Sequence, residues 1–571
     1  MFFGVTRFGT LAAIIIVFYF FSRLGGYYVG AFSVCLLLLF RWLVLKDLGN
    51  QAAITNLETL IRINKDELKA LKGEYGHFAN GNEYLPKDHV YANDIDIMGP
   101  ASLYQFCNRT TSGMGGKQLA AWLLHNATPQ VIKLRQQSVK ELANKRSWAQ
   151  QLQSFGSNNP VKMDTYFRLN TWLHQPFIFL NFKHWKWLRI VLPSIIVSIT
   201  VVAIAGWIQM SLLYGSLLLF AVLAFQINKV VAPLHEQLAK MVDELQTLTQ
   251  SIGWIEKENF ESPLLQEMQQ HFQSHKQSAS ISIRKIKKIL DQLDLRYNII
   301  ISAPLNLLFL WNLQQVLSLE KWKKIHAADI DSWFVTLGEF EALNSFATLS
   351  FNNADWIFPI LAEHHFEIEA TTLGHPLINN IKRVNNDIKI DSKGKLMIVT
   401  GSNMAGKSTY LRSVGINIIL AMAGAPVCAT FFRISPVQLL SSMRVADNLE
   451  ENTSTFYAEL KKLKLIIDKV NNNEKIFILL DEILRGTNSI DRHTGSVALV
   501  KQFIKHNAAG IIATHDVALA EMKKEYPDEI LNYHFDAHVS NDELYFDYKL
   551  KPGISTSLNA SILMKKIGIE L

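Results

Sequence analysis

Nine consecutive residues, Gly401-Ser402-Asn403-Met404-Ala405-Gly406-Lys407-Ser408-Thr409, carry the spacing of a phosphate cradle, GxxxxGK[ST]. The glycines let the backbone turn its N–H groups inward, and a following helix adds the positive end of its dipole. Lys407 is placed to neutralise β- and γ-phosphates, and the Ser408 hydroxyl to ligate Mg²⁺. Two further polar sites follow. Asp481 can complete the Mg²⁺ shell, and the adjacent Glu482 can orient or deprotonate an attacking water. His515 can sense the γ-phosphate. Each piece alone has a bland reading: an acidic pair after a strand is often a solvated turn, and a lone histidine is usually structural. Their order along one chain predicts an ATP- and Mg²⁺-binding site, with residues 401–409 on the nucleotide, Ser408 and Asp481 on the metal, and Glu482 and His515 as catalytic groups.

Such a site needs strands that end together. Residues 396–400 (LMIVT) form a short β-rich apolar run directly before the glycine turn, and residues 410–420 continue as an apolar helix. Residues 476–480 (IFILL) read as a buried strand ending in Asp481-Glu482, and residues 511–514 (IIAT) as another ending in His515. The pattern predicts a parallel α/β P-loop domain over residues 350–571.

The rest of the chain is apolar and basic. Of 571 residues 49% are hydrophobic, and the net charge is +7. A basic balance suits nucleic acid or an anionic lipid surface and does not choose between them. Three cysteines, Cys35, Cys107 and Cys428, lie too far apart for a disulfide framework or zinc spacing, which points to a reducing compartment. Uncharged or nearly uncharged runs occupy residues 11–21, 24–40, 190–208 and 212–227. Spanning a bilayer core takes about 20 apolar residues. These runs predict an N-terminal membrane hairpin within 1–46 and a transmembrane hairpin at 188–228. They separate helical core segments at 47–187 and 229–349. Arg41, Lys46, Lys183, Lys186, Arg189 and Lys229 flank the outer ends of the hairpins, so the positive-inside rule places the remaining segments in the cytoplasm, beneath the inner (cytoplasmic) membrane. No small-x-small cleavage site follows the first run, so an anchor is expected there rather than a signal peptide.

The motifs resemble those of the MutS family. Its phosphate loop is similar to GPNMGGKSTYxR, against Gly401 to Arg412 here, and its acidic strand to LMDEIGRGTS, against Leu480-Asp481-Glu482-Ile483-Leu484-Arg485-Gly486-Thr487-Asn488. Arg444 to Asn448, then Ser454-Thr455-Phe456 and Glu459, resemble the family's trans-acting signature. Tyr548 to Gly553, Gly374-His375-Pro376 and a block from Ser102 to Leu124 resemble further family segments. The resemblance covers about 97–187 and 325–571. It implies an ABC-type P-loop ATPase on an all-α lever and core domain. It also implies a homodimer in which Ser454 of one subunit acts in trans on the nucleotide of the other, and an association with DNA.

The departures redirect the function. The mismatch-reading and connector domains have no counterpart before residue 97, and an apolar hairpin stands where the DNA clamp would be. After it, Leu234, Leu238, Met241, Leu245, Leu248, Ile252 and Ile255 alternate by four and three, which fits a lever helix packed on a partner or an ordinary core helix. The family's adenine-stacking phenylalanine aligns with Arg383 or its neighbours, so that a base contact by Arg383 there implies a guanidinium stack. The sequence thus supports a membrane-anchored ATPase that binds DNA without sequence preference, through clusters such as Arg284-Lys285 with Lys287-Lys288, and Lys321 with Lys323-Lys324. The alternative is a mechanochemical membrane ATPase that has abandoned DNA and touches lipid alone. A transporter is disfavoured, because the apolar runs hold few polar groups and an LSGGQ signature is missing.

Overall fold

The computed structural model describes residues 26–571 apart from 275–276, 392–394, 403, 444–454, 541–542 and 556–571. Of the first 25 residues it describes positions 6, 9, 10, 12, 13, 15, 16 and 19. Most of the first apolar run, 11–21, therefore lies outside the described residues, as do Asn403 and Ser454 of the site. The chain divides into two compact units, Met1–Leu68 and Lys69–Leu571. The second apolar run belongs to a continuous 46-residue helix, α1 (Gly26–Leu71), which passes through position 46, where the sequence pattern had put the end of the first hairpin.

In the second unit the helical core is assembled from two distant stretches. Helices α2 (Gly113–Leu124) and α3 (Pro129–Asn144) pack against a later helix. Proline at the first turn of α3 suits a position whose N–H has no helical partner. The apolar hairpin follows as α4 (Lys183–Ile204) and α5 (Met210–Ala239). These are two helices long and apolar enough to cross a membrane, with mean hydropathies of 2.2 and 2.0 and only 11% and 17% of their most apolar windows buried. The chain continues through α6 (Val242–Lys257), α7 (Ala279–Asp294), a short apolar α8 (Ile299–Phe309) and α9 (Trp311–His326) to α10 (Ile330–Asn352).

Helix α10 closes the core on α2 and α3. A Cβ on Gly338 would lie 2.9 Å from the Met114 carbonyl carbon, so glycine sets how closely these helices approach. One turn on, the buried Glu341 carboxylate accepts the N–H groups of Thr111 (3.2 Å) and Ser112 (2.9 Å) and both hydroxyls (2.8 and 2.7 Å). Burial raises its pKa while these donors lower it. The four-and-three seam from Leu234 to Ile255 is buried. It is broken between α5 and α6, and α6 packs on α7 of the same chain, so the intramolecular core reading holds there and not the lever packed on a partner.

The C-terminal domain carries strands β1 (Ile360–Leu361), β2 (Ile368–Leu373), β3 (Asn386–Ile390), β4 (Leu396–Thr400), β5 (Phe431–Ile434), β6 (Gln438–Ser442), β7 (Ile476–Asp481), β8 (Ala509–Thr514), β9 (Ile530–Phe535) and β10 (Leu550–Pro552). A six-stranded sheet runs β10-β9-β4-β8-β7-β6, parallel except for β10, with a second sheet in the order β1-β5-β2-β3. Every residue of β4, β7 and β8 is buried, as the unbroken apolar runs require of strands covered on both faces. Helix α11 (Lys407–Ala423) follows β4, α12 (Thr455–Asn471) precedes β7, and α13 (Ser489–Lys505) follows it. Helix α11 lies on α2 and α3, joining the α/β domain to the helical core.

Candidate nucleotide site

The parallel register brings the strand ends together. Thr514 of β8 pairs with Thr400 of β4, and Ala513 with Asp481 of β7, so the chain leaves all three strands at one level. From β4 it enters the glycine turn. Gly401 (φ 147°) and Gly406 (φ 103°) take conformations closed to most side chains, and a Cβ on Gly401 would lie 2.8 Å from the Phe535 carbonyl oxygen. Gly406 caps α11, whose first residue is Lys407. The buried Lys407 ammonium donates to the carbonyls of Gly401 (2.8 Å) and Ser402 (3.1 Å) and lies 3.3 Å from His515 Nε2. Burial brings its pKa down to about 8, against the opposing pull of Glu482 and Asp481.

The Ser408 hydroxyl donates to Asp481 Oδ2 at 2.5 Å, while Asp481 Oδ1 is buried with no hydrogen-bond partner. Glu482 holds φ 51°, its N–H bonded to the Ala513 carbonyl at 2.9 Å. Its carboxylate meets His515 Nε2 at 2.6 Å and Arg485 Nε at 3.0 Å. The His515 hydrogen bond is the main cause of a lowered Glu482 pKa, with Arg485 and Lys407 acting in the same direction. Every described member of the predicted ATP and metal set therefore meets at one place. Among the described residues no group of three or more histidine, cysteine or carboxylate side chains could hold a metal alone. A magnesium ion here would draw on one hydroxyl, one carboxylate and the nucleotide.

A cavity of about 490 Å³ opens from this cluster, lined on the phosphate side by Ser402, Met404, Gly406, Lys407, Ser408 and Thr409. Its far wall includes His375, Ile378, Val384 and Tyr548. Arg383 is not in that wall. It bonds Asn380 and Asn385 and lines a neighbouring cavity, which corrects the expected stack by Arg383, while its neighbours Lys382 and Val384 do line the wall. Burial brings His375 down to about 4, so it faces the cavity uncharged. Tyr548 and His375 had been recognised only as members of family segments; nothing in the sequence alone brings positions so far apart to one wall.

Behind the acidic pair the backbone makes an unusual turn. Leu484 holds φ 60°, where the resembling motif has glycine. Its N–H donates to the buried Glu459 Oε1 at 2.5 Å, and the Arg485 N–H is a second donor to that carboxylate. Burial raises the Glu459 pKa and these N–H groups lower it. Phe456, one turn earlier on α12, packs so closely on Gly486 that a Cβ there would lie 2.6 Å away. The helix following the trans-acting signature thus grips the loop following Glu482.

The family model for MutS domain V matches residues 397–565. The DNA mismatch repair protein MutS of Thermotoga petrophila is 32% identical over 201 residues, 34% of this chain and 25% of that protein. Human MutS protein homolog 4 is 33% identical over 196 residues, 32% of this chain and 20% of that protein. The MutS of Chlorobium phaeovibrioides is 31% identical over 234 residues, 40% of this chain and 26% of that protein. The chain thus spans about a quarter or less of the length of these curated relatives. The matched region begins inside β4 and takes in the glycine turn, both other strand ends and Tyr548, so the C-terminal domain of this chain belongs with MutS domain V, the family's ATPase-type domain.

Proposed function

We propose that this chain is a membrane-anchored ATPase that hydrolyses ATP at the interface of a homodimer and applies the motion to DNA held near the membrane. The observation that carries the ATPase reading is the Ser408–Asp481 pair with its unpartnered buried oxygen, directly beside Glu482 and His515. A hydroxyl and a carboxylate fit a hard, oxygen-seeking cation, and magnesium bound there would neutralise charge on the β- and γ-phosphates. Lys407 leaves the Gly401 and Ser402 carbonyls for the phosphates, drawn by a stronger charge-assisted bond. Glu482, kept ionised by His515 and Arg485, orients water and takes its proton. The water oxygen bonds to the γ-phosphorus as the bond from phosphorus to the β,γ-bridging oxygen breaks. His375, Ile378 and Tyr548 offer one uncharged face, one aliphatic face and one ring to the base. Ser454 completes the partner's site, so a monomer turns over slowly.

Membrane anchoring is supported by α4 and α5, with cationic residues at the feet of the hairpin. Association with DNA is supported by the relatives' character and by exposed Arg284, Lys285 and Lys288 on α7 with Lys321 and Lys324 on α9. Lys323 drops out of that patch. It is buried, donating to the Trp172 (2.6 Å) and Gln175 (2.5 Å) carbonyls. The second reading, a mechanochemical ATPase working on the membrane alone, is favoured by the hairpin's insertion between the two halves of the helical core.

Lys407→Ala is expected to lose nucleotide binding, whereas Glu482→Ala keeps it and loses turnover. Full turnover in both variants, measured as phosphate release by detergent-purified protein, refutes the assignment.

A further inference from the structure

Helix α8 (Ile299–Phe309) is not accounted for by the ATPase, the lever or the hairpin. None of its residues is buried, and Ile299, Ile300 and Ile301 are 77%, 83% and 41% exposed. From Tyr297 to Leu310 there is no charged side chain. An apolar surface this continuous is unfavourable in water and normally marks a contact with lipid or protein.

Its surroundings identify the contact. Helix α8 lies along α4 and α5, and both of its flanks are tied to the feet of that hairpin. On the entering side Arg296 Nη1 donates to the Ala232 carbonyl of α5 at 3.3 Å. On the leaving side Asn312 Nδ2 donates to Asn228 Oδ1 of α5 at 3.0 Å, and Gln314 Nε2 donates to the Arg189 carbonyl of α4. Residues 189 and 228 stand where the hairpin's apolar runs begin and end, and 232 lies about one turn beyond. The ends of α8 therefore sit at the membrane surface that the hairpin defines, with Tyr297 and Trp311 bracketing the apolar stretch as interfacial aromatics do.

The segment is too short to cross. Eleven residues span about 16 Å, roughly half of a hydrocarbon core about 30 Å thick. Nor does α9 continue it: the axis bends by 78° at Leu310, which holds φ 48°, and α9 buries Leu313, Val316 and Leu317 in the helical core. Helices α7 and α9 pack on each other, with Trp322 Nε1 donating to the Ser282 carbonyl at 2.7 Å, so the chain enters and leaves on one face. The amide of Asn306 is satisfied locally: its nitrogen donates to the Ser302 carbonyl at 2.9 Å, and its oxygen accepts the N–H of Asn312, just past the bend, at 3.0 Å. A low-dielectric surrounding demands such internal pairing.

We propose that Ile299–Phe309 is a re-entrant half-helix that sinks into the acyl chains of the near leaflet beside the α4–α5 hairpin. This rests on reading α4 and α5 as a membrane hairpin. Because α7 and α9 belong to the core that carries α11, the half-helix couples that core directly to one leaflet.

The test uses the full chain with Cys35→Ser, reconstituted in phosphatidylcholine vesicles and labelled with an environment-sensitive fluorophore. The label goes in turn on Ile300→Cys, on Val222→Cys of the hairpin and on the exposed Lys324→Cys of α9. Labels at 300 and 222 are expected to be quenched by spin-labelled lipid, with iodide quenching several-fold weaker than at 324. Lipid quenching at 222 with free iodide access at 300 overturns the half-helix and leaves the hairpin standing. Iodide access at both overturns the hairpin and, with it, the half-helix. Protection at 300 from both quenchers means a protein surface covers it, which also overturns the proposal.

Discussion

The grip of Glu459 on the loop behind Asp481 and Glu482 gives a quantitative expectation. A leucine in the left-handed region costs about 1–2 kcal/mol, so Leu484 at φ 60° needs something to hold it there. The Glu459 carboxylate does this through the N–H groups of Leu484 and Arg485. Hydrogen bonds to a charged acceptor contribute about 1.5–3 kcal/mol each, and a neutral acceptor roughly half as much. Glu459→Gln keeps the shape and one acceptor oxygen but weakens the grip by an amount comparable to the backbone strain. The loop then samples a relaxed form in which Glu482, two residues back at φ 51°, is displaced. A shift of about 1.4 kcal/mol is tenfold, and misplacing a catalytic group by about 1 Å reaches a hundredfold, so kcat should fall about 10- to 100-fold. ATP affinity, set by residues 401–409, should be nearly unchanged. Leu484→Gly removes the strain, so in the Glu459→Gln background it should recover most of the lost turnover, with a coupling of about 1 kcal/mol. Single-turnover hydrolysis and equilibrium binding of a fluorescent ATP analogue on the four proteins of the cycle measure both quantities. Strict additivity, or an affinity loss that tracks the loss of kcat, would refute the positioning role of Glu459.

Three further outcomes follow from the site and its surroundings. Mixing Lys407→Ala with Ser454→Ala protein should restore one intact composite site per mixed dimer and recover part of the activity that each lacks alone; no recovery at any mixing ratio excludes the trans arrangement. Because burial brings the Lys407 pKa down to about 8 and phosphates favour its charged form, binding is expected to take up a proton above that pH. MgATP affinity should fall by about tenfold between pH 7 and 9, with proton uptake visible in calorimetry across buffers of different ionisation enthalpy, and a flat profile contradicts it. If DNA is the load, its binding should weaken log-linearly with salt, by a slope of about 0.9 per phosphate neutralised, and Lys321→Gln should flatten that slope; a salt-insensitive signal leaves the membrane as the load.

The convergence of the glycine turn, the acidic pair and His515 was legible because these residues sit in short segments whose strands declare themselves by unbroken apolar runs. The parallel register of β4, β8 and β7 then leaves the strand ends no choice but to converge. Asn403 and Ser454 lie outside the described residues, and the structure does not bear on them. What could not be read had two physical causes. Spacing alone does not distinguish a helix that faces its own core from one that faces a partner, so the Leu234–Ile255 seam fitted both, and only packing against α7 decided it. Nor does an apolar length rule detect α8: its run is interrupted by Ser302, Pro304 and Asn306 and is half the length a crossing needs, and its role depends on tertiary ties to Asn228 and Arg189. Lys323 shows the same limit for charge, because a lysine counted with its exposed neighbours points inward to two carbonyls.

How nucleotide chemistry reaches the helical core follows from where α11 ends. Its N-terminus carries Lys407 and Ser408, and its C-terminus is fixed to the core: Arg135 Nη1 donates to the Ala423 carbonyl at 3.2 Å while its guanidinium lies 3.8 Å over the Trp122 ring. A Cβ on Gly424 would lie 2.7 Å from Arg135 Cβ, and Asn126 donates to the Val437 carbonyl at 2.6 Å just before β6. On the other edge the buried Asp94 accepts from the Ser441 hydroxyl at 2.7 Å and from Lys462 at 3.0 Å, bracketing the segment that carries Ser454. Close-packed interfaces of this kind transmit displacement rather than absorb it. The P-loop helix thus packs on α2 and α3, and these on α10, as one continuous core. In the membrane-anchored dimer proposed above, a change at the γ-phosphate would be taken up where that core meets something else: across Met404, which is 77% exposed at the rim of the cavity, and along the apolar faces of α4, α5 and α8. On that proposal the lever is the whole helical core, and the load it works against is set by what those two surfaces touch.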